Sequence, residues 1–250
     1  MSTIQKDLEI FNKFNFKIPP VGVKYLLNKP KGIKKLDKKL ALCEMLPEVQ
    51  KGEAFYATAE DFECVGPIIL GMVEPDAIFK SGQVGPRLGV FKEPRANRRV
   101  YPAIPTLAKG TVRYIVFSPL DKLTFDPDVL VCTANSEQAE VLLRAYAYTS
   151  GKMWNAKGTV VIGCAWLFIY PFVTGELNFT ITNIGAGMRA RQVMPEGLML
   201  LALPYDLLSM IVENLKELEW VPPDYVGGRE VHSKIFEEVI EALMKEYKAG

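Results

Sequence analysis

Residues 111–151, "TVRYIVFSPLDKLTFDPDVLVCTANSEQAEVLLRAYAYTSG", decide the fold class. Two segments rich in β-branched and aromatic residues, "TVRYIVFSPL" and "DVLVCTAN", read as strands. The linker "DKLTFDP" is long enough to close them as a hairpin with an irregular loop, and Asp126 and Asp128 flank Pro127 in a turn. Asn135 then caps a helix, with Gln138 at the third helical position as a capping box requires. Val141, Leu142, Ala145 and Tyr148 form its apolar face. Strands in an expected hairpin, followed by a helix, point to an α+β protein with a mixed or antiparallel sheet rather than a doubly wound α/β fold.

The flanking sequence extends this pattern. "PPVGVKYLL" reads as a strand with Val21, Val23 and Tyr25 on one face and Lys24 on the other, after an amphipathic helix over 2–13. The spacing of Leu36, Leu40, Cys43 and Leu46 predicts a helix over 36–51 despite Pro47. Thr58 and Asp61 resemble a capping box, which would place Cys64 in the second turn of a helix that "VGP" then bends or ends. "GTVVIGCAWLFIYPFVTGELNFTITNI" reads as strand, turn, strand, and "GLMLLALPYDLLSMIVENLKEL" as a strand followed by a helix after Pro204. A main domain over 1–220 is expected, then a linker, "VPPDYVGG", and an amphipathic C-terminal helix within 221–250 carrying Ile235, Phe236, Val239, Ile240 and Leu243.

Composition narrows the chemistry. Thirty basic residues against 29 acidic ones leave a net charge of +1, so no general field draws in nucleic acid or an anionic membrane. "KKLDKK" at 34–39 reads as a solvated run; "RANRR" at 95–99, close to "SGQVGPRLG", is a candidate anion site. The charged start "MSTIQKD" and the lack of a long apolar span give the expectation of a cytoplasmic protein with reduced thiols. The single histidine, His232, disfavours serine–histidine and cysteine–histidine pairs and multi-histidine zinc sites.

Two features carry what chemistry remains. Gly185, Gly187 and Ala190 in "IGAGMRA" match G-x-G-x-x-A, but Pro195 and Gly197 interrupt the helix a dinucleotide site needs. A glycine turn presenting Arg189 and Arg191 to an anion is the functional alternative to a structural turn. The other feature is the four cysteines, which form no C-x-x-C motif. Cys132, amid Val, Leu and Val, reads as core. Cys43, Cys64 and Cys164 can meet only through the fold, where three thiolates plus a further ligand would suit a metal or an iron–sulfur cluster.

The succession "VGVKYL", "LCEML", "GEAFYATAEDFECVGPIILGM", "VFSPLDKLTFDPDVLVCTANSEQAEVLLRAYAY", "GCAWLFIYPFVTGELN" and "GAGMRA" resembles the domain of unknown function 169 family, found in archaea and anaerobic bacteria. The resemblance spans about 15–218. It implies a family pattern of four cysteines, three at the positions of Cys43, Cys64 and Cys164 and one in a C-x-G-x-R segment. That segment is Gly185 to Arg189 here, so glycine stands where the resemblance implies the fourth cysteine.

The leading expectation is a protein that binds a metal, an iron–sulfur cluster or a small anionic cofactor. Cys43, Cys64 and Cys164 would be the metal ligands, and Gly185, Gly187 and Arg189 would contact the cofactor. One alternative is an enzyme using a single reactive thiol, Cys64; another is an interaction module with inert core cysteines. Self-association would run through the C-terminal helix.

Overall fold

A computed structural model describes residues 8–249. Among the described residues, seven strands form one sheet in the order β2-β3-β4-β1-β5-β7-β6. They are β1 (Val21–Leu26), β2 (Lys34–Lys35), β3 (Phe55–Ala57), β4 (Tyr114–Pro119), β5 (Val129–Ala134), β6 (Asn178–Ile181) and β7 (Met199–Pro204). All neighbours run antiparallel except β2 and β3. The α+β class is therefore the observed one, with a predominantly antiparallel sheet.

The centre differs from the expected hairpin. β4 and β5 do not pair; β1 lies between them, with Val21 opposite Pro119 on one side and Val131 on the other. All six residues of β5 are buried, as befits an interior strand covered on both faces. On one face Val21, Val23, Phe117, Val131 and Ala202 join a core completed by short helices and turns through Leu42, Met45, Ile69, Leu70 and Phe168. On the other face the helix Ser136–Tyr148 packs against β5 and β7. Its predicted capping box is present: Asn135 Oδ1 accepts from the Gln138 N–H at 2.8 Å, and Gln138 Oε1 from the Asn135 N–H at 2.9 Å. The helix Tyr205–Glu217 follows β7 as expected, and its buried Asn214 donates to Ala145 O at 2.7 Å.

Three other expectations change. Residues 36–51 are not one helix: a 3-10 turn at Leu42–Glu44 leads into Met45–Val49, while Leu40 bridges Phe62 in parallel. The Thr58–Asp61 box exists, with the Thr58 N–H donating to Asp61 Oδ2 at 2.7 Å, but it caps a three-residue 3-10 turn. Pro67 then opens the helix Gly66–Ile69 instead of ending one. Finally, the first half of "GTVVIGCAWLFIYPF" leads into helices over Gly163–Phe168 and Tyr170–Thr174; only Asn178–Ile181 is strand. Every residue of Gly163–Phe168 is buried, so no periodic face marked it as a helix. The N-terminal segment forms a 3-10 helix over Leu8–Phe14, and the earlier part of the helix expected over 2–13 lies outside the described residues.

The chain divides into two compact units, Met1–Lys216 and Glu217–Gly250. The second holds a short helix, Pro223–Val226, where a linker was expected, and the helix Gly228–Ala249. No described helix is long and apolar enough to cross a membrane.

Candidate functional site: a cavity with three thiols

Cys43, Cys64 and Cys164 reach one place from three separate segments. Cys43 lies in the 3-10 turn, Cys64 in the bend before the helix Gly66–Ile69, and Cys164 in the first turn of the helix Gly163–Phe168. All three line a cavity of about 90 Å³, together with Ala41, Ile162, Gly163, Gly185, Gly187 and Arg191. None of the four cysteines is in a disulfide, and Cys132 is fully buried in β5, away from this cavity.

The local backbone explains the convergence. Gly163 and Gly185 pass so close that a Cβ on Gly185 would stand 3.3 Å from Gly163 N. A Cβ on Gly163 would in turn stand 3.1 Å from Ile184 Cγ2. The Ala186 N–H donates to Val160 O at 2.9 Å, fastening the glycine turn to the segment before Cys164. Ile162, which precedes that helix, has φ of 55° and ψ of 39°. A β-branched residue in the left-handed region is a true outlier, costing about 1–3 kcal/mol that the surrounding packing must offset.

Cys64 has the most distinctive environment. Its sulfur accepts the backbone N–H groups of Leu42 and Gly66, each at 3.3 Å. Such donors favour a thiolate. Arg191 adds a nearby positive charge, while its Nε sits 3.4 Å from Glu44 Oε2. That carboxylate oxygen also accepts the Ala41 N–H at 2.8 Å, which fixes the pair at the cavity wall.

Burial nevertheless dominates. It pushes the Cys43 thiol up to about 12, with Cys64 adding to the rise and Arg191 opposing it. Burial also raises Cys64, against its two N–H donors, and lifts Cys164 well above the ordinary thiol range. The site is therefore a set of protonated thiols at neutral pH. Labelling of the folded protein by iodoacetamide at pH 7.5 is expected to be slower at all three than in the urea-unfolded chain, with partly exposed Cys64 first. The rates should climb as pH rises beyond 9. Because an unfolded thiol ionises near about 8.5, the preference of the fold for neutral thiols favours folding below that pH. This contribution is lost as pH rises from there through the folded values. A cysteine alkylated at pH 7.5 as fast as in the unfolded chain would contradict the picture.

The donor set has the chemistry of a soft-metal site, three thiols with Gly185 also in the wall. It does not have the closed geometry: among the described residues, no group of three or more His, Cys, Asp or Glu is arranged to hold a metal ion. Of the residues expected at a cofactor, Gly185 and Gly187 line the cavity. Arg189 does not; its side chain is 76% exposed and faces Glu196 at 4.0 Å. The arginine at the thiols is Arg191, two residues on, and its partner Glu44 was not anticipated. Nothing in "GMRAR" distinguishes the two arginines before the turn is built. The segment "RANRR" lies in the helix Pro94–Val100, where Arg98 donates to Ser81 O at 2.7 Å. His232 sits in the second unit, its Nδ1 2.9 Å from Asp224 Oδ2. The helix after Gly185 is only Ala186–Ala190, too short for the dinucleotide motif.

The model of a family described as "Uncharacterised ArCR", DUF169, matches residues 9–214. The chain belongs to the DUF169 family. Over 214 residues this DUF169 chain is 27% identical to an uncharacterised protein, MJ0308, of Methanocaldococcus jannaschii, covering 81% of this chain and 89% of that one. No solved structure matches it. The family match spans all three cavity cysteines and the glycine turn but leaves out the helix Gly228–Ala249.

Proposed function

We propose that this protein binds a thiophilic metal, as a single ion or within a metal–sulfur cluster, through Cys43, Cys64 and Cys164. The observation that carries this reading is the meeting of three thiols from distant segments in one small cavity. Soft ligands of this kind select soft or borderline metals such as zinc, copper(I) or iron in clusters. Two N–H donors on the Cys64 sulfur fit a thiolate ligand, and Arg191 would offset the excess negative charge of three thiolates. A fourth ligand would come from outside the protein.

The thiols are protonated and lack the closed geometry of a ligand set, so loading must displace protons and pull the turns inward. Affinity should accordingly rise with pH. At about 90 Å³ the cavity is well below the roughly 300–1,000 Å³ of sites for organic ligands. Its size therefore favours a metal over the small anionic cofactor. A single-thiol enzyme has less support, since Cys64 is raised by burial and no imidazole lines the cavity.

Anaerobic purification, followed by reconstitution with iron and sulfide or with zinc, tests the proposal. Expected are about stoichiometric metal and, with iron and sulfide, a coloured protein whose visible absorption bleaches on reduction. A colourless, metal-free protein after both reconstitutions would overturn it.

A further inference from the structure

The three short helices Ala77–Ser81, Val84–Arg87 and Pro94–Val100 pack on one another and carry a charge that the rest of the chain lacks. Residues 77–100 hold six basic side chains, Lys80, Arg87, Lys92, Arg95, Arg98 and Arg99, against one acidic one, Glu93. The rest of the chain holds 24 basic and 28 acidic residues, so the balance of +1 conceals a segregation of +5 against −4. That balance excludes a general field but not a local one. All six cations are exposed, and among the described residues none has a carboxylate within 4.0 Å.

The helix Pro94–Val100 gathers three of them on one face. Arg95, Arg98 and Arg99 stand at i, i+3 and i+4, within an arc of about 100°. The opposite side holds Asn97, which is buried, and Val100, which packs against the core. Asn97 donates to Gly82 O at 2.9 Å and so fixes the helix in this rotation. Arg98 Nη1 donates to Ser81 O at 2.7 Å, which lays the guanidinium across the end of the helix that bears Lys80. Like charges at i, i+3 and i+4 repel; a bound anion would relieve what no neighbouring carboxylate does. The shape of the face selects among anions. Four of the six cations are arginines, whose planar forks match phosphate. Arg95 and Arg99 lie about 6 Å apart along the helix axis, and Lys80 and Arg87 sit on the adjoining helices. The charge is thus spread over a surface, as suits an extended polyanion, and not gathered round one phosphate. The arginine arc carries no apolar side chain; the exposed Ile78 and Leu88 line a concavity on the Asn97 side. A protein partner needs apolar anchors at the centre of its interface, and a basic surface that lies in a bilayer needs apolar groups beside its cations. Nucleic acid is held through its phosphates alone.

We infer that the face built by Arg95, Arg98 and Arg99, flanked by Lys80, Arg87 and Lys92, binds the phosphate backbone of a nucleic acid without reading its sequence. Nothing in this face depends on the thiol cavity, and the metal-free full chain is the material for the test.

Two fluorescein-labelled probes of mixed sequence and about 20 nucleotides, a DNA duplex and a single-stranded RNA, are titrated with protein and followed by anisotropy. Saturable binding of at least one probe at about 50 mM NaCl is expected, weakening at least tenfold by about 200 mM. Arg95 and Arg99 form no hydrogen bond or ion pair among the described residues, so replacing both by Gln should leave the urea midpoint unchanged. The double variant should bind at least tenfold more weakly. Its slope of log K against log salt should shrink by about 1.4 for the single strand or about 1.8 for the duplex. Lys245→Gln with Lys248→Gln, on the helix Gly228–Ala249, removes the same charge elsewhere and should change affinity less than twofold. Absence of saturable binding at the lower salt, or full retention of binding by the double arginine variant, would overturn the site. Binding to phosphatidylcholine–phosphatidylglycerol vesicles or to polyglutamate at least as tight as to both nucleic acids would overturn the choice of partner.

Discussion

Cys64→Ser is expected to lower the affinity of the protein for Cd²⁺ by at least about 100-fold, whereas Cys132→Ser should leave it unchanged. Loss of an outer-shell partner already reduces metal affinity by about 10–100-fold, so loss of a ligand with two N–H donors on its sulfur should exceed that. The control is informative because burial alone does not mark the site: Cys132 is buried, as Cys43 and Cys164 are. What separates them is the side of the sheet. Val129 and Val131 belong to the core on the cavity side, and the alternation of β5 turns Cys132 to the opposite face, under the helix Ser136–Tyr148. Gly185→Cys makes the complementary test. It adds a fourth thiol at a residue that lines the cavity, at the position where the family resemblance implies a cysteine, and should strengthen Cd²⁺ binding. The close approach to Gly163 requires the backbone to yield by a few tenths of an ångström. An equal response of all four cysteine positions to serine would contradict the assignment.

Phe168→Ala should cause the largest loss of stability, about 3–5 kcal/mol. The ring is fully buried and meets Phe117 edge-on at 5.9 Å and 88°, and Phe117 in turn contacts Phe55 at 5.4 Å. The Phe168 carbonyl accepts the Tyr25 hydroxyl at 2.5 Å. One side chain thus fastens the helix bearing Cys164 to β4, while its carbonyl is tied to β1. Because domains are stable by about 5–15 kcal/mol, the variant should unfold at a much lower urea midpoint with little change in slope. Phe168→Leu, which refills much of the space, should fall between it and the natural protein. A midpoint for Phe168→Ala close to the natural one would show that the ring does not anchor this helix.

How much of this was legible in the sequence depended on whether the physical cause was local. The box at Asn135 and Gln138 and the buried run of β5 are set by near neighbours, and both are present as read. The insertion of β1 between β4 and β5 had no local signal, since a six-residue strand does not encode its partners. The helix at Gly163–Phe168 carries no helical period in the sequence, because its complete burial erases the pattern that separates helix from strand. The cysteine site divides along the same line. That three cysteines needed the fold to meet followed from their spacing. The means by which they meet, two glycines in close backbone approach and a strained Ile162, is a tertiary fact. So is the placing of Arg191 rather than Arg189 at the thiols.

The most direct test of the central claim is X-ray absorption at the zinc edge of the fully loaded protein. Three thiolate ligands predict a shell of three sulfur atoms at about 2.3 Å, with one lighter or exogenous ligand completing the sphere. A first shell made only of oxygen and nitrogen, or one containing a single sulfur, would contradict it.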